Sequence, residues 1–237
     1  MSEWTQKRFW TRADVEDRAD GFSVRLDGRP VKTPARAALL LPTRAMAKAV
    51  AAEWDAQDEK VDPFAMPVTR AANAAIDKVA TQHAEVAAMI AAYGETDLVC
   101  HRAGSPEALA RRQAEAWDPL LEWIAESLGA PLEPAIGIMP RPQPPESLAR
   151  LADEVAALTA FELTALHDLV SLSGSLVIGL AAVHDQATPE SLWRLSRIDE
   201  TWQEELWGTD AEAAEHGAAR RRDFLNARRF FDLARAR

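Results

Sequence analysis

Phe22-Ser-Val-Arg-Leu-Asp-Gly-Arg-Pro-Val-Lys-Thr33 decides the fold class, because apolar and polar residues alternate on either side of Asp27-Gly28. Phe22, Val24 and Leu26 fall on one face of a strand, and an Asp-Gly pair tolerates the positive φ angles of a two-residue hairpin turn. Pro30 and Pro34 have no N–H to give to a ladder and belong at strand edges. Arg8-Phe9-Trp10 and Ala38-Leu-Leu-Leu41 read as flanking strands. After Pro42 the apolar period changes from two to that of a helix and stays there. The expected class is α+β. A small N-terminal domain of antiparallel strands and a helix, residues 1–66, precedes a larger all-α domain, residues 67–237.

Thr43 is placed to cap a helix reaching about Gln57, with Met46, Val50 and Trp54 at four-residue spacing. Trp54 is expected to seal that helix against the helical part. Val61-Asp-Pro-Phe-Ala-Met-Pro67 forms a bend. Further helices are expected over 68–93, with a break near Ala80, and over 106–128, with Ser105 as cap, Pro106 in the first turn and Gly129 as stop. Pro140, Pro142, Pro144 and Pro145 stiffen the next connection, and helices follow over 146–158, 161–184, 189–207 and 210–233. The apolar run from Leu169 to Val183 is shorter than the roughly 20 residues of a membrane span. Ser171, Ser173, Gly174, Ser175 and Gly179 interrupt it, so it reads as a buried helix that lets neighbours approach closely.

A formal net charge of −10 argues against nucleic acid as a partner, because counterion release needs clustered Lys and Arg. A lone cysteine, Cys100, excludes an internal disulfide framework and suits a reducing compartment. The first ten residues carry neither an apolar signal core nor an arginine-rich transit pattern, so the chain is expected to act where it is made.

Signatures of catalysis are missing from the sequence: no phosphate-binding glycine loop, nucleophile elbow, Cys-x-x-Cys or His-Glu-x-x-His occurs. His83, His101, His167, His184 and His216 lack metal-ligand spacing, so neither metal nor cofactor is expected. The best enzyme candidate is Thr96–Arg102, where Asp97, Cys100, His101 and Arg102 crowd together. Neighbours in sequence point apart on a strand or a helix, however, and no catalytic residue is assigned. Glu53 with Asp55, and Asp118 with Glu122, could serve acid–base chemistry but on amphipathic helices read as solvent-facing.

The segment from Ile198 to Ala219 holds Asp199, Glu200, Glu204, Glu205, Asp210, Glu212 and Glu215 with no Lys or Arg, together with Trp202 and Trp207. On a helix Glu200, Gln203, Glu204 and Trp207 share a face. These four, with Asp210 and Glu212, are the candidate partner-binding residues, suited to a basic and partly apolar protein surface. Trp202 follows Leu195, Ile198 and Leu206 on an apolar stripe and reads as core, while Trp207 is open to either reading. The alternative is a solvated acidic face steadied by the arginines from Arg220 onward.

Eight motifs in order along the chain carry a family resemblance. They are Arg8-Phe9-Trp10, Leu26-Asp-Gly-Arg-Pro-Val-Lys-Thr-Pro34, Ala52-Glu-Trp-Asp-Ala-Gln57, Met66-Pro-Val-Thr-Arg70 with Asn73, Thr96-Asp-Leu98, Arg112-Gln113 with Trp117-Asp-Pro-Leu-Leu121, Gly174-Ser-Leu176, and Asp199-Glu-x-Trp-Gln203 with Trp207-Gly208. The chain resembles the assembly chaperones of the ATP synthase F(1) sector that receive the alpha subunit. The resemblance implies a non-catalytic holding chaperone that binds the unassembled alpha subunit, shields its beta-facing surface and releases it into the hexamer. It also implies a small α+β domain followed by a helical one. Without a transit pattern the chain resembles the bacterial version and is expected to be cytoplasmic, eukaryotic relatives being in the mitochondrial matrix; it is expected to be a monomer when free, with no membrane insertion. The alternatives are a small-molecule-binding helical module, which requires an enclosed apolar pocket, and an enzyme using Asp97, His101 and Arg102.

Overall fold

The computed structural model describes residues 7–137 and 141–236. The hairpin forms at Asp27-Gly28, whose φ angles are 46° and 82°. Three strands, β1 (Ala13–Arg18), β2 (Gly21–Leu26) and β3 (Arg29–Pro30), make an antiparallel sheet in that order, with Val15 opposite Val24 and Arg25 opposite Pro30. The Asp27 carboxylate accepts from the backbone N–H of Thr11 at 2.9 Å, the Thr11 hydroxyl at 2.9 Å and the N–H of Arg12 at 3.0 Å. These hydrogen bonds, that of the Thr11 N–H foremost, hold its carboxyl below the usual range and tie the turn to the chain entering β1.

Two strand expectations are corrected. The strand pairing with β2 is β1, a mostly polar sequence in which Ala13 is the one buried residue. Arg8-Phe9-Trp10 is a strap. The Arg8 guanidinium donates to the carbonyls of Trp10 at 3.0 Å, Asp55 at 3.1 Å, Thr11 at 3.4 Å and Gln57, satisfying four acceptors at once. Ala38–Leu41 supplies only isolated bridges, Ala38 to Lys32 and Leu41 to Phe22.

Helix α1 (Arg44–Asp55) begins as expected, the Thr43 hydroxyl accepting from the N–H of Met46 at 3.1 Å, and buries Met46, Ala47 and Val50. Trp54, expected to seal it against the helical part, is half-buried and packs on the strap. Its ring meets Trp10 edge to face at 5.1 Å, and its carbonyl accepts from the Trp10 indole N–H at 3.3 Å. Both acids beside it are structural. Glu53 caps α2 (Pro67–Asp77) by accepting from the N–H groups of Val68 and Thr69, each at 2.8 Å, and from the Thr69 hydroxyl at 2.7 Å. Asp55 accepts from the N–H of Ala13 at 2.7 Å. The expected break near Ala80 is a 3₁₀ turn, Val79–Thr81, before α3 (His83–Ala91).

The contacts group the described residues into two compact units. The first comprises 7–83, 159–165 and 229–236; the second comprises the described residues of Ala84–Leu158 and Leu166–Arg228. Helix α2 falls in the first unit.

The second unit contains the two-residue parallel strands β4 (His101–Arg102) and β5 (Ala135–Ile136), with α4 (Glu107–Ser127) and α5 (Pro145–Ala156). The cap of α4 is Pro106, not Ser105, and no side chain closes it; Gly129, at φ 63°, ends it as expected. The helix expected over 161–184 is two, α6 (Ala160–Ser173) and α7 (Leu176–Val183). That over 189–207 is likewise two, α8 (Pro189–Leu195) and α9 (Ile198–Trp207), before α10 (Ala211–Arg235). The first break sits at Gly174, φ 75°, where the Ser175 hydroxyl turns back to accept from the N–H of Ile178 at 3.0 Å. Within the unit, a methyl group added at Gly179 would stand 2.5 Å from Val170 Cγ2, so the small residue there sets how closely α6 and α7 approach. Among the described residues no helix is long and apolar enough to cross a membrane.

Candidate partner-binding site

The Thr96–Arg102 segment comes together as architecture. Asp97 is fully buried and accepts from the Ser175 hydroxyl at 2.6 Å, the N–H of Val177 at 3.0 Å and the N–H of Val99 at 3.1 Å. One carboxylate therefore closes both the 3₁₀ turn Leu98–Cys100 and the first turn of α7. Burial pushes its carboxyl above the usual range, and the three hydrogen bonds pull the other way. Arg102 is buried too: it donates to the Val99 carbonyl and to Asp118 at 2.7 Å, and lies over the Trp117 ring at 5.1 Å. Among the described residues no three His, Cys, Asp or Glu side chains are grouped to hold a metal ion.

Cys100 is buried, and burial first, then the Asp97 charge, pushes its thiol up to about 12. The thiolate is the reactive species, so at pH 8 its alkylation by iodoacetamide in the native protein should be slower than that of a free cysteine by a factor on the order of 10³. Mass-spectrometric labelling kinetics measure this. A rate near that of a free thiol would place Cys100 at an accessible surface.

Helix α9 is fastened to α4 by polar contacts between side chains singled out in the sequence. Gln113 accepts from the N–H of Ala103 at 2.7 Å and donates to Asp199 Oδ1 at 2.6 Å. Arg112 grips Glu205 with both ends of its fork, at 2.7 and 2.9 Å, which holds the Glu205 carboxyl below its usual range. The Trp117 indole donates to the Leu195 carbonyl at 2.9 Å, satisfying an acceptor at the end of α8.

Between α9 and the segment 101–109 runs an open groove of about 450 Å³. His101, Ala103, Pro106 and Leu109 line one side, and Trp202, Gln203, Leu206 and Trp207 line the other, with Arg102, Gln113 and Asp199 completing it. Leu206 is 58% exposed and Trp207 78% exposed. Asp199, Trp202, Gln203 and Leu206 recur at helical spacing, so this stripe of α9 faces the groove. The core reading of Trp202 is corrected accordingly: it is a half-buried wall, and Leu206, assigned to the same core stripe, is exposed.

The predicted binding residues divide. Gln203 and Trp207 line the groove. Glu200 is paired with Arg197 at 2.5 Å. Glu204 lies off the groove lining and makes no ion pair among the described residues. Asp210 caps α10, accepting from the N–H groups of Glu212 at 2.8 Å and Ala213 at 3.2 Å; Glu212 itself is exposed. Sequence reasoning missed Pro106, Leu109 and Leu206 as surface residues, since apolar periodicity marks a stripe without showing whether anything covers it.

The model of the ATP12 chaperone protein family matches residues 7–125, half of the chain. The chain belongs to that family. Its fold is that of Atp12 from Paracoccus denitrificans, with a TM-score of 0.94 at 49% identity over 96% of this chain and 98% of the other. An aspartate-to-lysine mutant of P. denitrificans Atp12p superposes with a TM-score of 0.95, also at 49% identity, over 98% of this chain and 100% of the other. The mitochondrial protein atp12 of Schizosaccharomyces pombe is 25% identical over 223 residues, 88% of this chain and 76% of its own length. The ATP12 family match covers Arg112, Gln113 and Trp117 of α4, the residues that fasten α9 and α8 in place.

Proposed function

We propose that this ATP12-family chain is a non-catalytic assembly chaperone of the ATP synthase F(1) sector. It holds the unassembled alpha subunit, shields the surface that will face a beta subunit and releases it into the hexamer. Membership of a chaperone family supports the holding role. The observation that carries a protein-binding surface is the groove beside Trp207, open, apolar-walled and edged by carboxylates. Exposed apolar surface of this kind rimmed by charge marks interaction sites, and an orphan subunit with a bare apolar interface aggregates unless covered.

The binding face is Glu200, Gln203, Glu204 and Trp207 on α9, with Asp210 and Glu212 beyond it. Glu205 and Glu200 are offset by Arg112 and Arg197, which leaves Asp199, Glu204, Asp210, Glu212 and Glu215 as the negative field toward a basic client. Of the residues of the enzyme alternative, Asp97 and Arg102 are buried and bound to structural partners, which weighs against that reading, while His101 lines the groove.

Pull-down and calorimetry with purified alpha subunit, assembled alpha/beta hexamer and ATP test the reading. Binding to free alpha subunit is expected, and none to hexamer or nucleotide. Equal recovery of the hexamer, or ATP binding at physiological concentration, would overturn it.

A further inference from the structure

The α9 groove combines three features that neither a plain apolar trough nor a solvated acidic face would have. Two indoles, Trp202 and Trp207, line it. The Asp199 carboxylate lines it as well, and only its Oδ1 is engaged, by Gln113; Oδ2 makes no hydrogen bond among the described residues. Arg102, which lines the groove, Arg112, next to Gln113 in α4, and Arg197, two residues before Asp199, have carboxylates of their own in Asp118, Glu205 and Glu200.

Indole faces attract cations, and a carboxylate at an apolar, partly desolvated wall favours a positive partner more than it would in open water. Trp202 stands three residues from Asp199, roughly 4.5 Å of helix rise. That is the reach of the aliphatic stem of a lysine or arginine, which buries its methylenes while the charged head seeks a polar end. A volume near 450 Å³ lies within the range of about 300–1,000 Å³ typical of pockets that take a small ligand, and exceeds what an aliphatic side chain alone would fill.

We propose that this groove receives one cationic side chain, arginine or lysine, from a segment of the partner protein. Its stem packs on Trp202, Leu206 and Leu109, Trp207 flanks it, and its head meets Asp199 Oδ2. The inference deepens the client-binding reading and rests on it for the identity of the partner. The chemistry of the groove can be tested without that partner.

The indole N–H resonances of Trp202 and Trp207, assigned with Trp202→Phe and Trp207→Phe, are followed while N-acetyl-arginine amide, N-acetyl-lysine amide or the neutral N-acetyl-citrulline amide is added. Both cationic probes should shift these two signals saturably at millimolar concentration, arginine at the lower concentration because its planar group stacks on an indole. Citrulline should not. Asp199→Asn keeps an oxygen for Gln113 and removes the charge, so it should weaken the response at least about tenfold with little change in melting, as expected for loss of a charge-assisted contact. Citrulline acting like arginine, no saturable shift with either cation, or a stably folded Asp199→Asn protein that titrates like the parent would overturn the proposal.

A second arm measures capture of the alpha subunit by the parent, by Asp199→Asn and by Leu109→Trp, which fills the groove. Both variants should bind at least about tenfold more weakly, in line with the loss of a central anchor. If the parent captures no alpha subunit while its indoles still titrate, the assignment of the client fails and the groove stands. If the parent captures alpha subunit and both folded variants capture it equally well, the groove proposal fails and the assignment of the client stands.

Discussion

Asp97→Ala should destabilise the second unit by about 3–5 kcal/mol, since it removes the cap of two helical turns and leaves the Val177 and Val99 N–H groups and the Ser175 hydroxyl without an acceptor. Each lost cap is worth about 0.5–2 kcal/mol, and each buried donor left unpaired costs about 1–3 kcal/mol, with some recovery as the cavity relaxes. For a chain of this size, about 2–4 °C of melting temperature accompanies each kcal/mol, so the variant should melt roughly 6–20 °C below the parent. Thermal and urea unfolding measure both quantities. A loss under about 1 kcal/mol would mean that α7 and the Leu98–Cys100 turn hold their conformation without the carboxylate. Nothing in the neighbourhood of Asp97 suggests that: the residue is wholly buried, and its hydrogen bonds reach partners as far as 80 residues away in sequence.

The same contact explains what could be read from sequence and what could not. The hairpin was legible because Asp27-Gly28 carries its own conformational signal. The Thr43 cap, the break near Ala80 and the Gly129 stop are likewise written in one or two adjacent residues. The breaks at Gly174-Ser175 and Ser196-Arg197 are not. They are completed by Asp97 and Trp117, each bonded to a partner 78 residues distant, and no window of sequence holds both ends of such a bond. Strand β1 escaped because it turns few apolar side chains inward, and strand character was read instead into Arg8-Phe9-Trp10, whose apolar residues serve the Trp10–Trp54 contact.

The acidic segment was legible as a feature but not in its pairings. Arg220 donates to the Leu172 carbonyl at 2.7 Å, and Arg228 to Asp185 at 2.7 Å. Glu205 and Glu200 find Arg112 and Arg197 instead. Trp202 and Leu206 lie on an apolar stripe with Ile198, as the spacing requires. Along that one stripe burial falls from Ile198, at 7% exposure, to Leu206, at 58%, because the groove opens toward the end of the helix. Periodicity gives the direction a side chain points and is silent on where the neighbour ends.

The contrast between two tryptophans separates the scaffold of the site from its surface. Trp117 is 1% exposed, donates to the Leu195 carbonyl and carries the Arg102 guanidinium on its ring, so it links α4 to the end of α8 and to β4. Trp117→Ala should cost about 3–5 kcal/mol, the usual loss for a buried aromatic, with the orphaned carbonyl and the exposed arginine face adding toward the upper end. Trp207 is 78% exposed at the last position of α9, and its indole makes no hydrogen bond among the described residues. Trp207→Ala should therefore stay within about 0.5 kcal/mol of the parent in unfolding, as surface substitutions do. In client capture the larger ring should matter more than its stability effect implies: an anchor at the groove mouth is worth about 2 kcal/mol or more when truncated. Unfolding and binding measured on both variants give the result. If Trp207→Ala melts as low as Trp117→Ala, its indole is part of the packing and the open groove is misplaced; if it melts like the parent and still binds fully, the client engages another face, with the N-terminal strands the next surface to probe.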